Sequence, residues 1–458
     1  MDDWYAKFVR RMTTPRYGFV IDNDACADAT IMKLLRVEAV NKQGILLGVV
    51  QALADLNLVI VKANMSFDGE WFMDVFHVTD GEGNKVVDKE IIRKIEEHVA
   101  SHASSSLPAA AAPGRSLTSI ELTGADRPGL LSEVCAVLRD MSCNVVEAEI
   151  WTHNARAAAV LHVSDAAGGA AVEDPPRIAA IRELLCNVLR GDGETPRAAT
   201  TEVSMAVTHH RDRRLHQLMY DDGGGGAAED LAGGDRDGGA ATHVGVSYCH
   251  EKGYTVVTVR SKDRPKLLFD TLCALTDMHY LVFHGTVSAR SAEAWQEYYI
   301  RHADGRPISS EAESQRVARC LAAAIDRRTC EGLELELETE DRVGLLSDIT
   351  RVFRESGLAI RRAEISTTEA GRAVDTFYVS DMSGGPVEPK TIDFVRRQIG
   401  QLARAAIRVK GGGGGGGNSG GGGSGPPVKH AAETTGFLLG SLLRACSFQS
   451  FRLIRSYS

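Results

Sequence analysis

Apolar and polar residues alternate in four short runs, Leu35–Val40, Leu117–Leu122, Tyr254–Val259 and Leu333–Glu338. Each reads as a half-buried strand. Each is followed by a related turn: Asn41-Lys42-Gln43-Gly44-Ile45-Leu46-Leu47, Asp126-Arg127-Pro128-Gly129-Leu130-Leu131, Asp263-Arg264-Pro265-Lys266-Leu267-Leu268 and Asp341-Arg342-Val343-Gly344-Leu345-Leu346. After the turn the apolar period lengthens to that of a helix; in copy two Leu130, Leu131, Val134, Val137, Leu138 and Met141 share one face. Two alternating runs then predict a hairpin, Val145–Trp151 with Ala157–Val163 in copy two and Ile360–Ser366 with Ala373–Val379 in copy four. A second amphipathic helix closes the unit, over Pro176–Leu189 in copy two and Glu311–Ile325 in copy three.

The chain therefore repeats a β-α-β-β-α unit four times. A sixth element, a strand, follows copies two and four (Thr201–Val207, Ala405–Val409) but not copies one and three. Short apolar runs ahead of those two, Gly18–Ile21 and Val244–Ser247, are expected to take its place. The predicted fold class is α+β: four tandem ferredoxin-like βαββαβ domains arranged as two pairs, with disordered Gly-rich linkers. The widest gap between repeats falls between copies two and three, so sequence neighbours are expected to pair, over about 16–207 and 244–409, each pair protecting open sheet edges. The divisions are a tail (1–15), four domains (16–115, 116–207, 244–328, 329–410), linkers (208–243, 411–436) and a basic amphipathic tail (437–458).

Composition sharpens this picture. Of 46 glycines among 458 residues, 8 lie between Gly223 and Gly239 and 12 between Gly411 and Gly425, so the excess belongs to spacers. A net charge of −9 argues against a broad basic surface for nucleic acid. Nine scattered cysteines without a CxxC pair favour a reducing compartment, and neither a leader nor a run long enough to span a membrane is apparent. The expected location is the cytoplasm, with the nucleus as alternative. The tail from Phe437 carries Arg444, Arg452 and Arg455 without an acid. It can pack on the protein, dock on a partner groove or make a peripheral membrane contact.

No phosphate-binding loop, Gly-x-Ser-x-Gly elbow or His-Glu-x-x-His is present, and the GxGxxG matches fall in polyglycine. His98 and His102 lack further ligands at metal spacing, and His209, His210 and His216 sit in a basic segment expected to be a solvated helix. No catalysis, metal or cofactor is expected. The repeated loop carries the chemistry. A helix N-terminus offers unsatisfied N–H groups to a carboxylate, Gly129 leaves room for approach, and Asp126 can take an ammonium group, which together suit a free amino acid. The alternative is that Asp126 caps the helix, Pro128 opens its first turn, and Leu130 and Leu131 enter the core.

The strand, the Asp-Arg-Pro-Gly-Leu-Leu turn and the βαββαβ order resemble the ACT domain, and four copies with the tail Phe451–Ser458 resemble the plant ACT-domain-repeat (ACR) proteins, over about Arg16–Val409 and the tail. The resemblance implies a non-catalytic regulatory protein that binds a free amino acid at domain loops and interfaces. Such a protein would signal amino-acid or nitrogen status to a partner protein such as a metabolic enzyme. An interaction scaffold without ligand is the alternative. It also implies a site pattern of Asp or Asn opening the loop, Gly at the helix start and Asn early in the second strand. Copy two keeps all three, as Asp126, Gly129 (with Leu130) and Asn144. Copy one has Asn41 and Gly44 with Val59 in third place, and copy four has Asp341 and Gly344 with Ala359. Copy three has Lys266 for the glycine, suited to an interface role.

Overall fold

The computed structural model describes residues 17–37, 44–67, 71–104, 117–191, 199–204, 210–220, 242–249, 253–290, 292–329, 332–403 and 406–410. Copy one comprises β1 (Tyr17–Asp22), β2 (Thr30–Val37), α1 (Ile45–Asp55), β3 (Val59–Phe67), β4 (Trp71–Thr79) and α2 (Lys89–Ser104). Copy two comprises β5 (Thr118–Ala125), α3 (Leu130–Asp140), β6 (Cys143–His153), β7 (Arg156–Asp165), α4 (Pro175–Arg190) and β8 (Thr200–Ser204). A further helix, α5 (Arg211–Tyr220), precedes copy three, which has β9 (His243–Cys249), β10 (Tyr254–Lys262), α6 (Leu267–Asp277), β11 (Tyr280–Arg290), β12 (Glu293–His302) and α7 (Glu311–Asp326). Copy four has β13 (Leu333–Glu340), α8 (Leu345–Glu355), β14 (Leu358–Thr367), β15 (Arg372–Asp381), α9 (Pro389–Ala403) and β16 (Ala406–Lys410).

The leading strands take the place expected of the short apolar runs: β1 pairs antiparallel with β2, and β9 with β10, filling the position that β8 and β16 fill in the other two copies. All four units share one strand order, and in each the edge left open is the second strand of the motif: β3, β6, β11 or β14. These edges join in pairs and yield two eight-stranded sheets, β1-β2-β4-β3-β11-β12-β10-β9 and β16-β13-β15-β14-β6-β7-β5-β8.

This corrects the expected membership of the pairs. Copy one pairs with copy three, through Asn64 opposite Thr286, and copy two with copy four, through Glu149 opposite Glu364. Every unit leaves the same edge open, so proximity along the chain does not decide which edges join; units of the same construction are paired, with the leading strands β1 and β9 bounding one sheet and the closing strands β8 and β16 the other. The first helices pack across each join, α1 on α6 and α3 on α8. Two cores result. One combines Leu53, Met65 and Phe76 with Leu272, Val287 and Tyr298; the other combines Val134, Leu138 and Ile150 with Ile349, Phe353 and Ile365.

Helix α5 lies within the span 208–243 expected to be linker, and it is not a solvated helix. Leu215 and Met219 are fully buried against Trp151, Ala158 and Val160, on the sheet face opposite copy two's own helices. Its charged side chains reach two copies. Arg213 Nη1 donates to Asp277 Oδ2 of α6 at 2.7 Å, and Arg214 Nη2 lies 2.8 Å from Glu121 Oε2 of β5. Burial of Asp212 and His216 is tolerable because each has a partner: Lys266 Nζ and Arg328 Nη2 reach Asp212 at 2.7 and 3.1 Å, and His216 Nε2 meets Asp270 at 2.8 Å. Lys266, which replaces the motif glycine, thus serves an interface. The alternating pairing predicts that Asn64→Cys with Thr286→Cys, one residue from each half of the first sheet, forms a disulfide under mild oxidation, seen as a linked peptide by mass spectrometry. Sequence-neighbour pairing would leave these thiols unlinked.

Candidate ligand clefts between copies two and four

Three of the four loops end in a glycine with left-handed backbone: Gly44, Gly129 and Gly344, at φ +89°, +80° and +81°. L side chains disfavour that region, so glycine is the natural residue there. Each directly precedes its helix, with no side-chain cap. Asp126 therefore does not cap α3, contrary to the alternative drawn from sequence; its amide donates to Ala155 O at 2.9 Å and it lies three residues before the N-cap, Gly129. A second reason for glycine is tertiary. A Cβ on Gly344 would lie 3.1 Å from Cδ of Arg139 on α3, and one on Gly129 would lie 2.6 Å from Cδ of Arg354 on α8. Arg139 and Arg354 hold equivalent places in their helices, so each helix lays an arginine across the other copy's loop.

Two clefts follow from this reciprocal packing, and each is built from both copies. In the first, which encloses about 20 Å³ and opens to solvent, the copy-four loop (Asp341, Gly344, Leu345) faces Asn144 and Val145 at the start of β6. Asn144 Nδ2 donates to Asp341 Oδ2 at 2.9 Å, and Thr367 Oγ1 donates to the same oxygen at 3.3 Å. Arg139 Nη1 donates to Ser347 Oγ at 3.2 Å. Asp375 of β15 also lines this cleft; it is 2% exposed and its Oδ1 has no hydrogen-bond partner. Burial and the neighbouring Asp341 charge push its carboxyl up to about 7.

In the second cleft, which encloses about 270 Å³, the copy-two loop (Asp126, Gly129, Leu130) faces Ala359, Ile360 and Arg361 of β14 over a largely apolar lining that includes Leu122, Ala159 and Phe353. Burial raises the Asp126 carboxyl, and the Arg361 charge opposes that shift. Arg127 is committed elsewhere: its Nη1 donates to Glu133 Oε1 at 2.9 Å and its Nη2 to Val188 O at 3.0 Å.

The structure thus redistributes the expected site. Asp126, Gly129 and Leu130 line one cleft while Asn144 lines the other, beside Asp341 and Gly344. The full Asp, Gly and Asn pattern is assembled between copies. Gly44 lines a third cleft, against Tyr280–Phe283 of copy three, and Asn41 lies outside the described residues. Asp375, Thr367 and Arg361 were not singled out from sequence. For Asp375 a signal existed, because it shares the inward parity of Ala373, Phe377 and Val379, where alternation calls for an apolar residue.

Comparison with known proteins agrees with this architecture. Residues 25–106 match the ACR family N-terminal ACT domain, and residues 118–175 and 334–388 match the ACT domain. The chain is 56% identical over 405 residues to the ACT domain-containing protein ACR6 of Arabidopsis thaliana, covering 87% of this chain and 90% of that one. The chain belongs to the ACR family. The Arabidopsis protein ACR4 is 50% identical over 462 residues, covering 100% of this chain and 99% of that one. A bifunctional uridylyltransferase/uridylyl-removing enzyme of Azospirillum brasilense is 26% identical over 213 residues, which cover 46% of this ACR protein and 20% of the enzyme. Among the described residues there is no group of three or more His, Cys, Asp or Glu placed to hold a metal ion, and no helix long and apolar enough to cross a membrane.

The buried carboxyl has a consequence for stability. A folded-state pKa near 7, above the ordinary aspartate value, means the folded chain holds this proton more tightly than the unfolded chain. The resulting stabilisation is complete below about pH 4 and is lost as pH rises through 7. Asp375→Asn, which cannot ionise, should raise the melting temperature by roughly 2–4 °C at pH 8 and change it by less than about 1 °C at pH 4. Equal shifts at the two pH values in thermal unfolding would contradict the burial assigned to this group.

Proposed function

We propose that this ACR protein is a non-catalytic regulatory protein that binds a free amino acid in the clefts between copies two and four and passes its occupancy to a partner protein, such as a metabolic enzyme. The observation that carries this reading is the meeting of Asn144 with Asp341 beside Gly344, across two copies. An acceptor carboxylate, an amide able to donate or accept, and a helix start without a capping side chain complement the ammonium and carboxylate of a zwitterion. Because each cleft has walls from two copies, a ligand that favours one spacing of the walls shifts the joined modules toward it; a ligand indifferent to spacing shifts nothing.

A scaffold of ACT folds without ligand is the second reading. It is favoured by the way Asn144 and Asp341 already satisfy each other. Calorimetric and thermal-shift titration of the full chain with each of the twenty amino acids at millimolar concentration separates the two. At least one amino acid should bind, and Gly344→Val, which forces a β-branched side chain onto a left-handed residue under Arg139, should weaken binding in the first cleft by at least tenfold. Absence of heat and of thermal shift for all twenty would favour the scaffold.

A further inference from the structure

The two clefts of the second sheet share one construction but differ at their floors. Asp375 lies opposite Leu337 and Ile365 in its sheet, and Ala159 lies opposite Leu122 and Ile150 in the same register position of copy two. Both lie on the helix-covered face, and each lines its own copy's cleft. The corresponding residues in the first sheet are Asp74 in copy one and Gln296 in copy three, paired with Leu34 and Met65 and with Val259 and Val287. One inward position on the third strand of the motif is therefore polar in three copies and alanine in one. A polar group here displaces an apolar one from a core face, a placement that packing alone does not favour.

We propose that Asp375 is the specificity-determining residue of the copy-four cleft, selecting an amino acid whose side chain ends in a hydrogen-bond donor, whereas Ala159 leaves the copy-two cleft to apolar side chains. This rests on the reading of the clefts as amino-acid sites. Asp375 is buried, the Ser366 amide serves its carboxylate, and Oδ1 has no partner. Asp341, across the same cleft, already accepts from Asn144 and Thr367. A hydroxyl, amide or ammonium group entering beside Asp375 gives Oδ1 its missing donor. An apolar isostere leaves the oxygen buried and unpaired, which is the arrangement by which a site rejects an analogue lacking a donor. In the copy-two cleft Ala159 offers no such demand and opens volume instead, consistent with the larger space and the apolar lining there.

The direct test is calorimetry on the full chain with near-isosteric pairs: threonine against valine, serine against alanine, and glutamine against methionine. Gly129→Val is used as background to suppress the copy-two cleft. In that background at least one donor-bearing ligand should bind at least tenfold more tightly than its apolar partner. Asp375→Ala should reduce that preference to about threefold or less, and Asp375→Asn, whose one acceptor oxygen is held by the Ser366 amide so that its NH2 stands in the place of Oδ1, should lose it as well while keeping the side-chain volume. A preference unchanged in Asp375→Ala overturns the inference while leaving amino-acid binding intact. Absence of binding by any amino acid to the unsubstituted chain overturns the function proposed above and this inference with it.

Discussion

The antiparallel join of β6 to β14 is the contact on which the candidate site depends. A four-stranded ACT sheet leaves its second strand as an edge, and an unpaired edge invites association. Pairing Arg362–Ser366 with Glu147–Trp151 satisfies that edge and also sets α3 against α8, so that each helix carries its arginine over the other copy's glycine. The clefts are what remains between these surfaces. Neither exists within a single copy, and a change in the join alters both at once.

Helix α5 gives the arrangement its second constraint. It covers the open face of copy two with Leu215 and Met219 while Asp212 enters an ion group with Lys266, Arg328 and Asp270 of copy three. Arg328 lies with its guanidinium 4.8 Å from the Trp151 ring centre and 3.9 Å from Glu149, whose neighbour across the join is Arg362. Buried ion pairs add little net stability when complete but are costly to break singly. Their value here is positional: the charges hold copy three's loop against copy two, and the loop thereby gives its glycine position to a lysine. The sequence departure at Lys266 and the buried helix explain each other.

Much of the fold was legible because it is written four times. Repetition identified the unit, alternation located the strands, and the gaps after copies one and three pointed to the leading strands β1 and β9, which pair as expected. The partnership of copies was not legible, since edge strands of the same motif look alike and sequence proximity does not decide which edges meet. Asn144 shows the cost. Read along the chain it belongs with Asp126 and Gly129 of its own copy, yet the join delivers it to Asp341 and Gly344. Basic composition likewise suggested that 210–220 is solvated, because opposite charges supplied from residues 266, 270, 277 and 328 cannot be seen in a local window.

The central claim is that a ligand site is shared between copies two and four. Hydrogen–deuterium exchange of the full chain, with and without a saturating amino acid, tests it most directly. The account predicts that amides of 341–347 and of 143–146, drawn from different copies, gain protection together on ligand addition. Protection confined to 126–132 and 143–146, within copy two alone, would contradict it.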